Sequence, residues 1–255
     1  MLGMTMAIAL SLATQAVPYA PEERMDFSIE YLGVTMGKAR IAVGRPEGGA
    51  LPVLLLARTS GLVSVVDVRE QLSSVLDVET GLPRTFTLDA VEPGYKHTDV
   101  ARFDRASNKA IVRQKGKYDN TYEIDVPPDT VDFVAMVFRL RTLPLEPGAT
   151  HDFPVLVGKD VAKVTATVEA RETISTPAGK FATVRVRVPT GMTGKFSEKN
   201  PTYVWFSDDA RRIVVRITTD FAIGRAKAEL SGYQPGKPDE AGASGAPPHD
   251  RAARR

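Results

Sequence analysis

The sequence predicts an all-β protein: one large, mainly antiparallel sheet, curved or barrel-like, with a single principal helix. Three observations carry this. Short segments with period-2 alternation, bounded by Gly, Pro, Asn or Asp, fill residues 26–233. Only one long stretch has the helical period. At 43% hydrophobic and 25% charged residues over 255 positions, the composition is that of a soluble globular chain.

The first strand is read over residues 27–31, where Phe27, Ile29 and Tyr31 alternate with Ser28 and Glu30 before Leu32 and Gly33 break the pattern. Further strands are read at 38–43, 53–57, 70–76, 84–91, 97–104, 110–114 and 121–126. The second half adds 150–157, 162–172, 182–188, 202–206, 212–220 and 225–232. A regular run of this many short strands argues for a meander that curls rather than staying flat.

The helix is read over residues 130–143, with Asp129 capping its N-terminus and Asp132 complementing the helix dipole. Val134, Val137, Phe138 and Arg141 fall at helical spacing, and Phe133, Met136 and Leu140 widen the stripe. Pro144 ends it. A weaker helical turn is read at 60–66.

Residues 1–16 carry no charged side chain and include the small, apolar run 6–13, so residues 1–20 read as a secretory signal. That run is too short to span a bilayer, which takes about 20 residues. The mature chain is therefore expected to be periplasmic or otherwise exported, and soluble or peripheral rather than integral. Residues 25–233 read as one domain, and residues 234–255, rich in Gly, Ala, Pro and charge, as a disordered tail.

Composition narrows the chemistry. With no cysteine, disulfides, thiolate metal sites and a thiol nucleophile are excluded. A net charge of +2 gives no whole-chain footprint for nucleic acid, which is not expected as a partner. No phosphate loop, nucleophile elbow, zinc helix or calcium loop is present, so no cofactor, metal or catalytic residue is assigned.

Of the three histidines, His97 has Asp99 two residues along the same strand face, but no nucleophile accompanies them. His151 reads as a strand entrance, and His249 lies in the tail. Asp77, Asp208 and Asp209 sit in strand–turn–strand units, where Asp side chains bond their own backbone, so a structural role is expected. Arg185 and Arg187 alternate with valines and, with Arg211, Arg212 and Arg216, give either a phosphate- or carboxylate-binding stripe or a solvated face neutralised by Glu169, Glu172 and Asp220.

Several segments carry a family resemblance. They are Phe27-Ser28-Ile29-Glu30-Tyr31-Leu32-Gly33-Val34 with Gly37, Ala57-Arg58-Thr59-Ser60-Gly61-Leu62, and Leu76-Asp77-Val78-Glu79-Thr80-Gly81-Leu82-Pro83. Leu140-Arg141-Thr142-Leu143-Pro144-Leu145, Glu172-Thr173-Ile174-Ser175-Thr176-Pro177-Ala178-Gly179-Lys180-Phe181 and Val204-Trp205-Phe206-Ser207-Asp208-Asp209-Ala210-Arg211-Arg212-Ile213 follow in order. Together they resemble exported bacterial proteins of domain of unknown function 3108, over roughly residues 25–233. The resemblance implies an exported, mostly antiparallel β protein whose role is unassigned. The unit ending in Trp205 to Arg212 also looks like one in periplasmic lipoprotein carriers, whose curved sheet holds acyl chains under a helical lid. The chain departs from the outer-membrane carrier in having no Cys for lipidation.

Within that pattern, Arg58, Arg69, Arg141 and Arg212 are the polar residues least needed for turns. The resulting expectation is a non-enzymatic binding protein for a lipid-like amphiphile or other envelope component. Phe133, Met136, Val137 and Trp205 would contact the apolar part, and the four arginines an anionic head group. The alternatives are an envelope structural or assembly protein that binds a protein or polysaccharide partner, and, further off, a hydrolase.

Overall fold

The computed structural model describes residues 20–59, 68–92, 94–117, 119–190, 197–220 and 224–237. Eight strands come first: β1 (Arg24–Tyr31), β2 (Val34–Val43), β3 (Ala50–Thr59), β4 (Arg69–Asp77), β5 (Pro83–Glu92), β6 (Tyr95–Asp104), β7 (Lys109–Lys115) and β8 (Asn120–Asp125). The helix α1 (Phe133–Leu140) follows. Six strands complete the chain: β9 (Thr150–Val157), β10 (Asp160–Thr176), β11 (Gly179–Thr190), β12 (Ser197–Ser207), β13 (Val214–Asp220) and β14 (Arg225–Gln234). Each strand read from alternation is present; β1, β2, β3, β11 and β12 begin three to five residues earlier than read, β10 ends four residues later, and β13 begins two residues later.

All fourteen strands form one sheet in the order β8-β7-β6-β5-β4-β3-β2-β1-β14-β13-β12-β11-β10-β9. Every pair of neighbouring strands is antiparallel. Two meanders are thus joined where the first strand pairs with the last, from Arg24 opposite Gln234 to Tyr31 opposite Ala226. The sheet curls but does not close by hydrogen bonds, and β8 and β9 are its two edges. Side chains bridge the gap between them: Val112, Val126 and Leu156 pack with Tyr122 and Ile124, and the Lys159 ammonium lies 5.7 Å from the Tyr122 ring centroid. The β9 edge is further covered by Val131, whose N–H donates to the Pro154 carbonyl at 2.9 Å and whose carbonyl accepts from Leu156 N–H at 2.9 Å.

This pairing explains where the helix begins. Val131 spends both backbone groups on β9, so the helix cannot extend back to Asp129 as the sequence suggested. Its cap is instead Asp132, extended at φ −91° and ψ 175°, which accepts from Ala135 N–H at 2.8 Å. At the other end, Arg141, Thr142 and Leu143 donate three residues back to Phe138, Arg139 and Leu140, a tightened last turn before Pro144. α1 is buried almost all round, through Val134, Ala135, Met136, Val137, Phe138 and Leu140, because it sits inside the curl against β3, β4 and β9.

An up-and-down meander places alternate connections at opposite ends. One end holds Ala20 and Lys237, the first and last described residues, the β2–β3, β4–β5, β6–β7, β10–β11 and β12–β13 turns, and α1 with its flanking segments; we call it the closed end. Arg105 donates there to the carbonyls of Pro83 at 2.7 Å, Thr130 at 2.9 Å and Pro128 at 3.1 Å, fixing the approach to α1. Arg141 makes a fork to Glu23 at 2.7 and 2.9 Å and reaches the Arg211 carbonyl at 2.9 Å. Tyr233 donates to the same Glu23 at 3.2 Å, and the phenol's own pKa is pushed up to about 12 by burial and by that carboxylate.

Of residues 1–20, read as a signal, only Ala20 is described; the helical turn read at 60–66 lies outside the described residues, as do residues 238–255. The first residues assigned to the tail are ordered. β14 runs to Gln234, and Lys237 N–H donates to the Pro21 carbonyl at 2.8 Å. No described helix is long and apolar enough to cross a membrane.

The Glu23–Arg141 pair is wholly buried, so removing one partner strands the other charge. Arg141→Met is expected to lower unfolding free energy by about 3–5 kcal/mol in urea titration, while Glu23→Leu with Arg141→Leu recovers most of the loss. A second test uses Asp132, which accepts from Ser74 at 2.6 Å and whose pKa burial raises from 3.8 to about 6. The native state therefore holds this proton more tightly than the unfolded chain. Its contribution is fully present below the unfolded pKa and is lost as pH rises through about 6, a change on the order of 3 kcal/mol. The melting temperature of wild type relative to Asp132→Asn should fall between those pH values, and a flat difference would contradict the assignment.

Candidate functional site

Residues directly opposite on neighbouring strands share a face, so the register shows what lines the interior. One inward row reads Met25, Ile41, Leu55, Leu72, Leu88 and Asp99 from β1 to β6. The parallel row nearer the other end, which we call the open end, reads Phe27, Ala39, Ala57, Glu70, Ala90 and His97. Met25, Phe27 and Ile41 are buried in the core, which fixes both rows as internal.

The remaining members are not all covered. Leu55, Leu72 and Leu88 are only half-buried, although their side chains point inward. The sheet therefore presents a solvent-accessible apolar wall on its inside. Its floor is α1: a cavity of about 20 Å³, room for roughly one water, lies between Phe133, Val134, Val137 and Phe138 and the residues Ile41, Leu55 and Ile217.

Beside the wall, β6 to β8 turn polar. A groove of about 330 Å³ is lined by Tyr95, His97, Asp99, Gln114, Lys115, Gly116, Lys117 and Asn120. Gln114 donates to Asp99 at 2.9 Å, and the His97 ring stacks on Tyr95 with centroids 5.1 Å apart. His97 Nδ1 is buried without a hydrogen-bond partner among the described residues. Glu70, one strand beyond Ala90 from His97, has its pKa raised, first by burial and then by the like charge of Glu92, with His97 pulling it back. The combination is a leucine wall meeting a polar rim of carboxylate, amide, imidazole and lysine groups. It can hold an apolar chain and, next to it, a polar head group.

The residues singled out from the sequence do not converge. Phe133 and Val137 face the floor cavity, whereas Met136 is completely buried in packing. Arg141 is committed to Glu23. Arg58 and Arg69 lie opposite each other on the outer face of β3 and β4, exposed, because alternation puts them out of phase with Ala57 and Glu70.

Trp205 is also on the outer face, yet it is covered. Its Nε1 donates to Glu172 at 2.9 Å and the Arg216 guanidinium sits 5.6 Å from its ring centroid. Arg212 is in the β12–β13 turn at φ 48°, bonded to Asp208 at 3.1 Å. The Arg stripe is neutralised by its neighbours, Arg185 by Glu169 and Glu172, and Arg216 by Glu229. Asp77 accepts from Glu79 and Thr80 N–H, and Asp209 from Arg211 N–H, so these acids build turns. His151 is at the entrance to β9, where Nε2 meets the Pro144 carbonyl at 2.8 Å, and His249 lies outside the described residues.

Leu72, Leu88, Glu70 and Gln114 were not singled out from the sequence. A signal existed for Glu70: in β4 it alternates in phase with Leu72, Ser74 and Leu76, a charge on an otherwise inward face. Glu70→Gln is accordingly expected to stabilise the fold at pH 8, and the gain should shrink as pH falls and the native carboxyl takes up its proton. Unfolding curves at several pH values would check this, and a loss of stability at pH 8 would show that the charge has a partner.

The comparisons give a family and a fold. A family model described as a protein of unknown function, DUF3108, matches residues 26–231. No curated protein matches the chain. Among solved structures, a beta-barrel-like protein of domain of unknown function DUF1849 from Brucella abortus aligns over 86% of this chain and 99% of its own, with a TM-score of 0.56 at 11% identity. At that score and identity the likeness shows a shared fold alone. A protein from Parabacteroides distasonis, provisionally described as a lipoprotein, is 12% identical over 86% of this chain and 98% of its own, with a TM-score of 0.38. A protein with a YmcC-like fold from Bacteroides fragilis is 10% identical over 85% and 97%, with a TM-score of 0.34.

Proposed function

The chain belongs to the DUF3108 family, whose function is unassigned, and we propose that it is an exported, non-enzymatic binding protein for a lipid-like amphiphile of the cell envelope. One observation carries the reading. Leu55, Leu72 and Leu88 face the interior and remain accessible from the open end, while equivalent inward positions on β1 and β2 are filled.

An acyl chain laid along that row would replace water on three leucines, at about 0.8 kcal/mol for each CH₂ buried. Ten methylenes would supply about 8 kcal/mol before association costs, enough for binding in the micromolar range only if those costs are small. The floor cavity beneath holds too little space for more than the tip of such a chain. Phe133 and Val137 are its contact residues there. Met136, Arg141, Trp205 and Arg212 belong to packing and turns, so the ligand reading does not draw on them.

The head group is the second half of the reading. Asp99, Gln114, Glu70 and His97, with Lys115 and Lys117 lining the same groove, set carboxylate acceptors beside cations, which favours a zwitterionic or hydroxyl-bearing head inside the mouth. Export is supported by the apolar run at residues 6–13 and the small residues that follow it.

Native mass spectrometry of the protein isolated from its own envelope fraction, followed by lipid extraction, tests this directly. A discrete amphiphile mass is expected, and Leu72→Gln with Leu88→Gln should remove it while circular dichroism stays unchanged. A clean apo mass, with no uptake of added lipid, would overturn the carrier reading in favour of a protein or polysaccharide partner.

A further inference from the structure

The outside of the open end carries a charge pattern unlike the rest of the molecule. Across the outer face of β2, β3, β4, β5 and β6, directly opposed positions read Lys38, Arg58, Arg69, Val91 and Lys96. Four of the five are cations, three of them consecutive from β2 to β4 and the fourth one strand beyond Val91, and all four are exposed. Like charges directly opposite one another destabilise a sheet. No ion pair among the described residues engages Lys38, Arg58 or Lys96. On the other arc the cations are neutralised, Arg216 by Glu229, Arg225 by Asp220, and Lys227 by Glu30 and Glu229.

The same end bears exposed apolar side chains at its hairpin tips. Leu32 is 62% exposed and Val34 54%, at the β1–β2 turn, and Tyr95 is 44% exposed beside Lys96. Leu32 is also in a conformation that suits it badly. Leu32 and Gly33 are the two central residues of the hairpin, at φ 51° and 79°, where Asn-Gly is the favoured pair and a bulky residue is strained. A side chain that is apolar, exposed and held in the left-handed region is paying for something other than folding.

We propose that the open end docks peripherally on an anionic lipid surface, with the Lys38–Arg58–Arg69–Lys96 line against the head groups and Leu32, Val34 and Tyr95 entering the interface. Cations beside apolar and aromatic tips are the pattern that interfacial binding requires. A polyanionic glycan or nucleic acid would be served by the cations alone and gives the apolar tips no role. Docking in this pose sets the mouth of the leucine wall toward the bilayer. The inference stands on the rim alone and does not require that the interior hold a ligand.

The test is co-sedimentation of the purified protein with vesicles of phosphatidylglycerol and phosphatidylcholine, against phosphatidylcholine alone. Binding to the anionic vesicles, weakened by salt, is expected. Each cation at such a surface is worth about a fivefold change in partitioning, so Arg58→Gln with Lys96→Gln should lower it about 25-fold. Arg45→Gln at the closed end should leave it unchanged.

Leu32→Asn separates function from folding. It should raise the melting temperature by relieving the turn and at the same time lower vesicle binding. No binding to anionic vesicles, equal binding by the Arg58→Gln/Lys96→Gln variant, or binding to dextran sulfate in place of vesicles would each overturn the proposal. Leu72→Gln with Leu88→Gln should still bind vesicles, so failure of the carrier reading and failure of this one give different results.

Discussion

Arg141 has its guanidinium entirely out of solvent, and it ties three separate parts of the closed end together. Its fork to Glu23 joins the segment entering β1 to the end of α1, 118 positions apart in sequence. The same carboxylate receives Tyr233 from β14, and the guanidinium reaches the carbonyl of Arg211 in the β12–β13 turn. Glu23 and Tyr233 flank the seam where the first strand pairs with the last, the single pairing that joins the two meanders. A buried pair adds little net stability over an apolar substitute, but a broken one is severe. Its effect here is to tie the end of the helix to that seam.

The seating decides what the sheet can do. An eight-residue helix fills one end of the curl and no more, because Val131 is held by β9 before it and Pro144 stops it after. Residues packed against α1, such as Val53, Ser74 and Leu76, are buried, whereas the same strands two to four residues further on show half-buried Leu72 and Leu55. The accessible inner wall is therefore a consequence of helix length. A longer helix in this sheet would fill the hollow with side chains of its own.

Much of this was legible in the sequence, and the part that was not has a physical reason. Period-2 alternation located every strand because each strand buries one face. The helix was found from its apolar stripe, and its start was misplaced from Asp132 to Asp129 because a single bridge from Val131 to β9 is a tertiary event. Alternation also said that Arg58 and Ala57 point opposite ways. It could not say which way was in, since that depends on the direction of curl, and so Arg58 and Arg69 were assigned to a ligand that the outer face does not enclose. Arg141 stands out as a charge in an apolar stripe, but a lone arginine there does not reveal Glu23 as its partner.

The features that cost stability are not spread evenly. At the closed end, turns are capped by their own aspartates, Arg105 ties down three carbonyls, and Arg141 has its fork. At the open end, cations oppose cations across β2, β3 and β4, Leu32 occupies a glycine-like conformation, and Glu70 is raised in pKa by its burial. Left-handed non-glycine residues and a buried carboxyl occur at the closed end too, at Glu22, Asn108, Arg212 and Asp132, but there the left-handed residues are all polar. Among the described residues, the open end alone sets an exposed leucine in that conformation beside directly opposed cations. Sequences keep such conflicts where something outside folding compensates them. One end of this barrel-like sheet meets the requirements of folding, and the conflicts retained at the other are the kind that contact with an anionic, partly apolar surface would relieve: opposed cations find counter-charges, and an exposed leucine leaves water.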